Sequence, residues 1–246
     1  LYRMNESNDK FRHSWLLVSP LEENGINLAL EARPDVLIVD LFERVSENRR
    51  EAAREKARSI VERCSEITEV FGLVHRNTLS QDLDSLVWPG LSGVILSRTE
   101  SADNVDFCSD LLSKLESSRK LKHDQIQIVA SLETPLGNHK AFEIATTGAS
   151  DRLWGLTLGR ADLEMDLRPE PSGEFHLMPY LMQRLILVAT AAGITPLGAW
   201  WRYPTRGLVA NSEETYESAV RGRAIGFKGA LILEALQVQS VNLAYV

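Results

Sequence analysis

Residues 36–74 read VLIVDLFERVSENRREAAREKARSIVERCSEITEVFGLV, and this stretch predicts one strand–helix–strand unit. The runs VLIVD and VFGLV at its two ends are continuously apolar, which is typical of strands buried on both faces of a parallel sheet. Between them, a helix is predicted with Ser46 as its N-cap and with one apolar stripe at helical spacing. The stripe consists of Ala53, Ala57, Ile60, Val61 and Cys64. The stretch therefore predicts an α/β fold.

The same alternation of short apolar runs and longer amphipathic segments continues along the rest of the chain. The other predicted strands are WLLV (15–18), GVILS (93–97), IQIVAS (126–131), LWGLTL (153–158), ITPLGAW (194–200) and ALILE (230–234). Further helices are predicted at 101–115, 137–147, 176–192 and 212–225. Eight strands with helical crossovers predict a single (β/α)8 TIM-type barrel that spans residues 1–246. An open, doubly wound sheet is the α/β alternative that periodicity alone leaves open.

Composition and charge narrow the classes of partner. A net charge of −7 argues against nucleic acid as the main partner, because phosphate binding needs a dense Lys/Arg surface. No apolar run approaches the length of a bilayer span and the first residues lack a signal-like apolar core, so no membrane partner is expected. Cys64 and Cys108 lack the spacing of metal ligands and are expected to be free thiols. A cytoplasmic location is the resulting expectation.

Charged or ionisable side chains follow five consecutive predicted strands. In a barrel the carboxyl ends of all strands form one rim, so these side chains are expected to lie near one another. They are Asp40, His75, Arg76, Arg98, Glu133, Arg160 and Asp162. Such convergence predicts a site for a small acidic substrate at this rim.

The two later carboxylates suggest a metal site, and the cationic groups suggest a site for anions. Glu133 and Asp162 offer hard oxygen ligands of the kind that Mg²⁺ prefers. Arg98, together with Arg76 or His75, is suited to neutralise a substrate carboxylate or an enolate oxygen. The alternative interpretation of Glu133 is a solvated acid in a turn, and that of His75 is a hydrogen-bonded core histidine.

Several motifs, in this order and at these spacings, resemble one known family over nearly the whole chain. They are SWLLVSP, VLIVDLFERVSENRREAARE, LVWPGLSGVILSRTESADNV, IVASLETPLG, GLTLGRADLEMDL and AVRGRAIGFKGALI. The sequence is similar to the citrate lyase β-subunit-like (HpcH/HpaI aldolase) superfamily, whose fold is the phosphoenolpyruvate/pyruvate-domain-like barrel. The resemblance implies a Mg²⁺-dependent carbon–carbon lyase, with Mn²⁺ as an alternative ion, and a homo-oligomer, either a trimer or a hexamer.

The resemblance also assigns roles to individual residues. Glu133 and Asp162 match the metal ligands of the family. Arg98 stands where a lysine is usual, and Asp40 matches the first acid of the second-strand motif, so both are expected to be catalytic together with His75. Arg76 and Arg160 are expected to bind the substrate.

The chain departs from the family pattern at several of these positions. After Asp40 the family usually continues with Glu and then Asp, whereas this chain has Phe42 and Glu43. His75 takes the register of the family's third-strand arginine, which binds the substrate carboxylate. Arg76 cannot take its place without a bulge, because neighbouring strand residues point to opposite faces. The sequence ends at Val246, so the C-terminal lid of longer relatives is expected to be absent.

Three functional hypotheses follow. The first is a Mg²⁺-dependent lyase or aldolase that cleaves or forms a bond beside the enolate of a small 3-hydroxy acid or its CoA thioester. The second is a class II aldolase that acts on a free 2-oxo acid such as pyruvate. The third is a diverged, non-catalytic barrel that serves as a subunit or as a metabolite-binding module.

Overall fold

The computed structural model describes residues 12–149, 151–159, 163, 166–167, 179–198 and 211–246. In these ranges the strands are Ser14–Val18 (β1), Val36–Asp40 (β2), Glu69–His75 (β3), Leu91–Ser97 (β4), Gln127–Leu132 (β5), Leu153–Leu158 (β6), Thr195–Leu197 (β7) and Ala230–Ile232 (β8). The helices are Glu23–Ala32 (α1), Arg50–Cys64 (α2), Leu79–Leu86 (α3), Ala102–Ser118 (α4), Pro135–His139 (α5), Ala141–Ala145 (α6), Pro179–Ala192 (α7), Ser212–Ile225 (α8) and Gln237–Tyr245 (α9). Short 3₁₀ turns occupy Glu47–Arg49 and Arg76–Thr78.

The eight strands form one parallel sheet that is nearly closed into a barrel. Their order is β7-β6-β5-β4-β3-β2-β1-β8, so each strand pairs with its neighbours in sequence and β8 returns to β1. The last gap is bridged by two backbone hydrogen bonds, from Gly198 to Gly229 at 2.9 Å and from Lys228 to Pro196 at 3.0 Å. The predicted (β/α)8 TIM-type barrel is therefore confirmed, and the open-sheet alternative is wrong.

Two apolar layers explain why these segments form strands and helices. Inside the barrel a buried cluster comprises Trp15, Val36, Ile38, Phe71, Leu73, Ile95, Val129 and Leu197. The alternate strand residues face outward and pack against the helices in a larger buried cluster. The predicted stripe of α2 is confirmed there, since Ala53, Ala57, Ile60, Val61 and Cys64 are all buried. Burial on both faces accounts for the continuous apolar runs in the sequence.

Some predicted boundaries differ from the observed ones. Helix α2 begins at Arg50, because a 3₁₀ turn follows Ser46, whose hydroxyl donates to Asn48 instead of capping the helix. The helix predicted at 137–147 is two short helices, α5 and α6, which meet at Lys140. Strand β7 ends at Leu197, and Gly198 follows with a φ of 141°, a conformation that favours glycine.

The amino end of the barrel is closed by aromatic side chains and one arginine. Trp15 contacts Phe71 and Trp154, with ring centroids 4.8 and 5.2 Å apart. The guanidinium of Arg12 lies 4.9 Å from the Trp154 ring and pairs with Glu69 at 2.5 Å. Because these side chains fill the amino end of the described barrel, we expect a small molecule to enter from the carboxyl ends of the strands.

Two other expectations concern the thiols and the helices. Cys64 and Cys108 are both buried and free of disulfide bonds, as predicted. Burial raises the pKa of the Cys108 thiol to about 12, so this side chain stays protonated. Among the helices that the structure describes, none combines the length and the apolar character needed to cross a bilayer.

Candidate metal and substrate site

The inward face of the strands continues into polar residues at the carboxyl end of the barrel. Ile38, Leu73, Ile95 and Val129 line the interior. Since strand side chains alternate, the residues two positions further on face the same interior. They are Asp40, His75, Ser97 and Ser131, and all four are buried. The register pairs His75 with Ser97 across β3 and β4, which brings the ends of these strands side by side.

Glu133 lies beside this polar layer, between β5 and α5. Its side chain is 6% exposed. Ser97 donates to one carboxylate oxygen at 2.7 Å, and the Arg98 backbone N–H donates to the same oxygen at 3.1 Å. Ser131 donates to the other oxygen at 2.6 Å. These donors orient the carboxylate, and its burial contradicts the alternative interpretation of a solvated acid in a turn.

Two glycines allow the neighbouring segments to close around Glu133. A Cβ atom at Gly159, directly after β6, would lie 2.2 Å from the Cγ atom of Glu133. A Cβ atom at Gly137 in α5 would lie 2.2 Å from the carbonyl oxygen of Thr99. Real Cβ atoms do not approach other atoms so closely, so larger residues would displace the loops after β4 and β6. The position of the carboxylate therefore depends on both glycines.

Arg98 adopts a strained backbone conformation beside this carboxylate. Its φ is 54°, in the left-handed region that favours glycine over residues with a side chain. This conformation aims its N–H at Glu133, while its guanidinium lies 3.7 Å from the carboxylate of Asp166. A glycine would suit this backbone conformation better.

His75 is buried and neutral. Its ring stacks on Phe42, with centroids 4.3 Å apart and planes inclined by 23°. Burial lowers the pKa of His75; Asp82 opposes this shift, whereas the positive charges of Arg50, Arg98 and Arg76 add to it. Its Nδ1 accepts the Asn77 backbone N–H at 3.2 Å, and this bond assigns the ring proton to Nε2. The imidazole can therefore donate a hydrogen bond from Nε2.

Asp40 organises the loop that follows β2. Its carboxylate accepts the backbone N–H groups of Phe42, Glu43 and Arg44 at 2.8, 2.7 and 2.5 Å. Its side chain is fully buried. These bonds fix the path of the loop that carries Phe42 over His75.

Arg76 follows His75, the last inward-facing residue of β3, and lies in the 3₁₀ turn after this strand. Its guanidinium pairs with Glu100. Burial acts to raise the pKa of Glu100, but hydrogen bonds from Arg76 and Thr134 outweigh burial and hold that pKa below its usual value. Glu100 is therefore an ionised partner for Arg76.

Comparison with known proteins agrees with the geometry. The family described as HpcH/HpaI aldolase/citrate lyase matches residues 18–235. The chain belongs to this family. Citrate lyase subunit beta of Haemophilus influenzae is 27% identical over 245 residues, which cover 95% of this chain and 79% of the relative. The resemblance inferred from the sequence motifs is thus confirmed.

Solved structures of the Mycobacterium tuberculosis protein CitE are similar in fold. The complex with magnesium and pyruvate has a TM-score of 0.73 at 22% identity and covers 96% of this chain and 91% of that chain. The complex with magnesium, acetoacetate and coenzyme A has a TM-score of 0.71 at 22% identity and covers 96% of this chain and 81% of that chain. At such identities the likeness shows the fold alone.

The structure brings together some of the residues that the family resemblance selected. Glu133 and Arg98 are hydrogen bonded, and His75 is beside Ser97 and within reach of the Arg98 charge. Asp162 and Arg160 lie outside the described residues. The backbone N–H of Leu163 donates to the carbonyl of Gly159 at 3.4 Å.

Sequence reasoning missed several contacts in this part of the barrel. Ser131 stands two residues before Glu133, and this spacing on one strand face was a usable signal. The contact of Phe42 with His75, and that of Arg50 with Phe42, had no signal in the sequence. Phe42 is one of the departures from the family pattern expected from the sequence, and its ring stacks on the histidine.

Proposed function

We propose that this chain is a Mg²⁺-dependent carbon–carbon lyase or aldolase of the citrate lyase β type. The substrate would be a small 3-hydroxy acid or its CoA thioester, cleaved or formed beside an enolate. The observation that carries the proposal is the carboxylate of Glu133, which is buried at the barrel mouth and oriented by Ser97, Ser131 and the Arg98 N–H. Membership of the lyase family supports the same reaction class.

The residues at this position fit a hard divalent cation. Hydroxyl and amide donors orient the Glu133 carboxylate, as is usual for a ligating carboxylate. We propose Asp162 as the second ligand, since it follows Gly159 closely and Gly159 contacts Glu133. When bound, the ion supplies positive charge that stabilises the substrate's enolate oxygen. The magnesium complexes of the Mycobacterium tuberculosis protein support this choice, and Mn²⁺ is the alternative ion.

The other side chains of the candidate site have separate proposed roles. His75 donates its Nε2–H to an oxygen that gains negative charge as the bond breaks, since its Nδ1 is already engaged by Asn77. Arg98 is proposed to bind the substrate carboxylate through its guanidinium, which follows β4 directly after the backbone N–H that binds Glu133. Arg76 and Arg160 are proposed as further substrate-binding groups. Asp40 acts through the loop whose amides it holds.

A free 2-oxo acid is the second candidate for the substrate. The complex of the Mycobacterium tuberculosis protein with magnesium and pyruvate favours it, whereas the complex with coenzyme A favours a thioester. The two candidates differ in a simple assay. A class II aldolase exchanges the methyl protons of pyruvate with solvent when Mg²⁺ is present, and a thioester lyase turns over a hydroxyacyl-CoA.

The first experiment is a calorimetric titration of oxalate, an enolate mimic, in the presence and absence of Mg²⁺. Wild type is expected to bind oxalate only with Mg²⁺, and Glu133→Gln is expected to lose this binding. Glu143→Gln is the matched control, because Glu143 is an exposed glutamate in α6 that pairs with Lys140 at 3.7 Å. Failure of the wild type to bind oxalate with either Mg²⁺ or Mn²⁺ would overturn the proposal.

A further inference from the structure

We propose that the hydroxyl group of Thr157 binds an oxygen atom of the metal-bound acid, so that Thr157 is a further substrate-binding residue. This inference rests on the proposed function and adds a group to the same site. Thr157 lies in β6, two residues before Gly159, which packs against the side chain of Glu133.

Strand register places Thr157 in a row of three hydroxyl groups inside the barrel. Ser97 and Ser131 follow directly after the last paired residues of the neighbouring strands β4 and β5. Ser131 pairs in turn with Thr157 on β6. Residues paired across parallel strands point to the same face of the sheet, so Thr157 faces the interior as Ser131 does. On its other side Thr157 pairs with Leu197, which belongs to the apolar cluster inside the barrel.

The hydrogen-bonding state of Thr157 differs from that of the two serines. Ser97 donates to one carboxylate oxygen of Glu133 at 2.7 Å, and Ser131 donates to the other at 2.6 Å. Thr157 is 1% exposed, and within the described part of the chain its hydroxyl oxygen has no hydrogen-bond partner. Buried polar groups in native proteins nearly always have a partner, so this hydroxyl is suited to a ligand that binds inside the barrel.

The place of the hydroxyl indicates which kind of atom it binds. The end of β6 passes close to Glu133, since a Cβ atom at Gly159 would lie 2.2 Å from the Cγ atom of Glu133. Thr157 precedes that glycine on the same strand, so its hydroxyl lies on the side of the barrel that holds the proposed metal ligand. Besides carboxylates, Mg²⁺ takes ligands from water and from substrate oxygens. An anionic oxygen of a metal-bound acid is thus a suitable acceptor for the Thr157 hydroxyl.

Valine is the informative replacement for Thr157, because it keeps the shape of threonine and removes the hydroxyl. An unpaired hydroxyl in the barrel interior lowers the stability of the folded protein, since it loses its contact with water and gains no other partner. Thr157→Val should therefore raise the thermal unfolding midpoint of the unliganded protein by roughly 2 °C or more. If the hydroxyl served only the fold, its removal would lower this midpoint instead.

Calorimetric titration measures the effect on binding. Thr157→Val is expected to weaken Mg²⁺-dependent oxalate binding about 10- to 100-fold, the effect of losing one hydrogen bond to a charged acceptor. Its affinity for Mg²⁺ alone should stay at the wild-type value, because the hydroxyl is proposed to bind the acid and not the ion. Thr157→Ser keeps a hydroxyl and should retain most of the oxalate affinity. Thr190→Val is the matched control, since Thr190 is an exposed threonine in α7, and it should change neither the affinities nor the midpoint.

The outcomes separate this inference from the proposed function. If wild type and Thr157→Val bind oxalate with Mg²⁺ equally well, Thr157 has no such role and the metal site stands. If Thr157→Val also loses affinity for Mg²⁺ alone, the hydroxyl acts on the metal ligand and not on the acid, and the inference is wrong. A lowered unfolding midpoint in Thr157→Val would assign the hydroxyl to the fold. If wild type binds no oxalate with either Mg²⁺ or Mn²⁺, both proposals fail together.

Discussion

Replacement of Gly159 by alanine perturbs the candidate metal site with a single methyl group. The added Cβ would lie 2.2 Å from Cγ, 3.1 Å from Cδ and 3.2 Å from Cβ of Glu133. Carbon atoms in van der Waals contact are about 3.5–4.0 Å apart, so either the loop after β6 or the Glu133 side chain must move by more than about 1 Å. Glu133 is held by Ser97 and Ser131, and these hydrogen bonds would be stretched or broken by such a movement.

The clash in Gly159→Ala should affect both the stability of the protein and its affinity for the ligand. Overpacking of this kind destabilises a protein by about 1–3 kcal/mol. A displacement of about 1 Å at a catalytic constellation typically costs about 100-fold in function. Gly159→Ala should therefore remain folded, because domains of this kind are stable by about 5–15 kcal/mol, and should lose about 100-fold in Mg²⁺-dependent oxalate affinity.

Two measurements on each variant test this expectation: urea unfolding and calorimetric titration of oxalate with Mg²⁺. Gly148→Ala is the control, because a Cβ there would meet only Asp106 at 3.7 Å, an ordinary contact. The control should keep wild-type affinity. Wild-type affinity in Gly159→Ala would refute the reasoning, because the ligand would then bind independently of the position of the Glu133 carboxylate.

Three further predictions concern single residues. Arg98→Gly should change the free energy of unfolding by less than about 1 kcal/mol, because relief of strain at a φ of 54° opposes the greater freedom of the unfolded chain. The same variant should weaken Mg²⁺-dependent oxalate binding at least about 10-fold. Arg33→Gly, at a φ of 52°, is the control that should leave binding unchanged. The pKa of His75 in the folded protein should lie below 6.5 in an NMR titration in which His75→Gln assigns the signal. The neutral histidine then contributes fully to stability above pH 6.5, and this contribution is lost as the pH falls from 6.5 towards the pKa in the folded protein. A titration midpoint at or above 6.5 contradicts this. Arg152→Met should lower the free energy of unfolding in urea by about 3–5 kcal/mol, since it leaves the buried carboxylate of Glu116 without its partner at 2.6 Å, and a loss below about 1 kcal/mol would contradict the reasoning.

The barrel could be predicted from sequence because its strands are buried on both faces. The runs VLIVD and LWGLTL coincide with β2 and β6, whose residues are nearly all buried. The end of β7 could not be predicted from apolarity, since ITPLGAW continues beyond Leu197 where Gly198 leaves the strand conformation. Hydrophobic periodicity thus locates elements, but local backbone conformation decides where they stop.

The residues of the candidate site whose positions depend on strand register could be predicted from the sequence. Glu133 follows a buried strand, and its place at the barrel rim follows from that position alone. The contact of Arg50 with Phe42 depends instead on the path of a loop, and that path depends on the amide bonds to Asp40. No spacing rule relates a loop ring to a histidine on the next strand, so this part of the site needed the structure.

The surroundings of Glu133 and those of Phe42 therefore have different structural origins. The carboxylate of Glu133 is held by Ser97 and Ser131, whose positions are fixed by the pairing of β4 with β5. Arg50 is held by a loop and the start of a helix, which can change without altering the strand pairing. The phenylalanine at position 42 depends on the same loop, because its ring contacts both His75 and the guanidinium of Arg50.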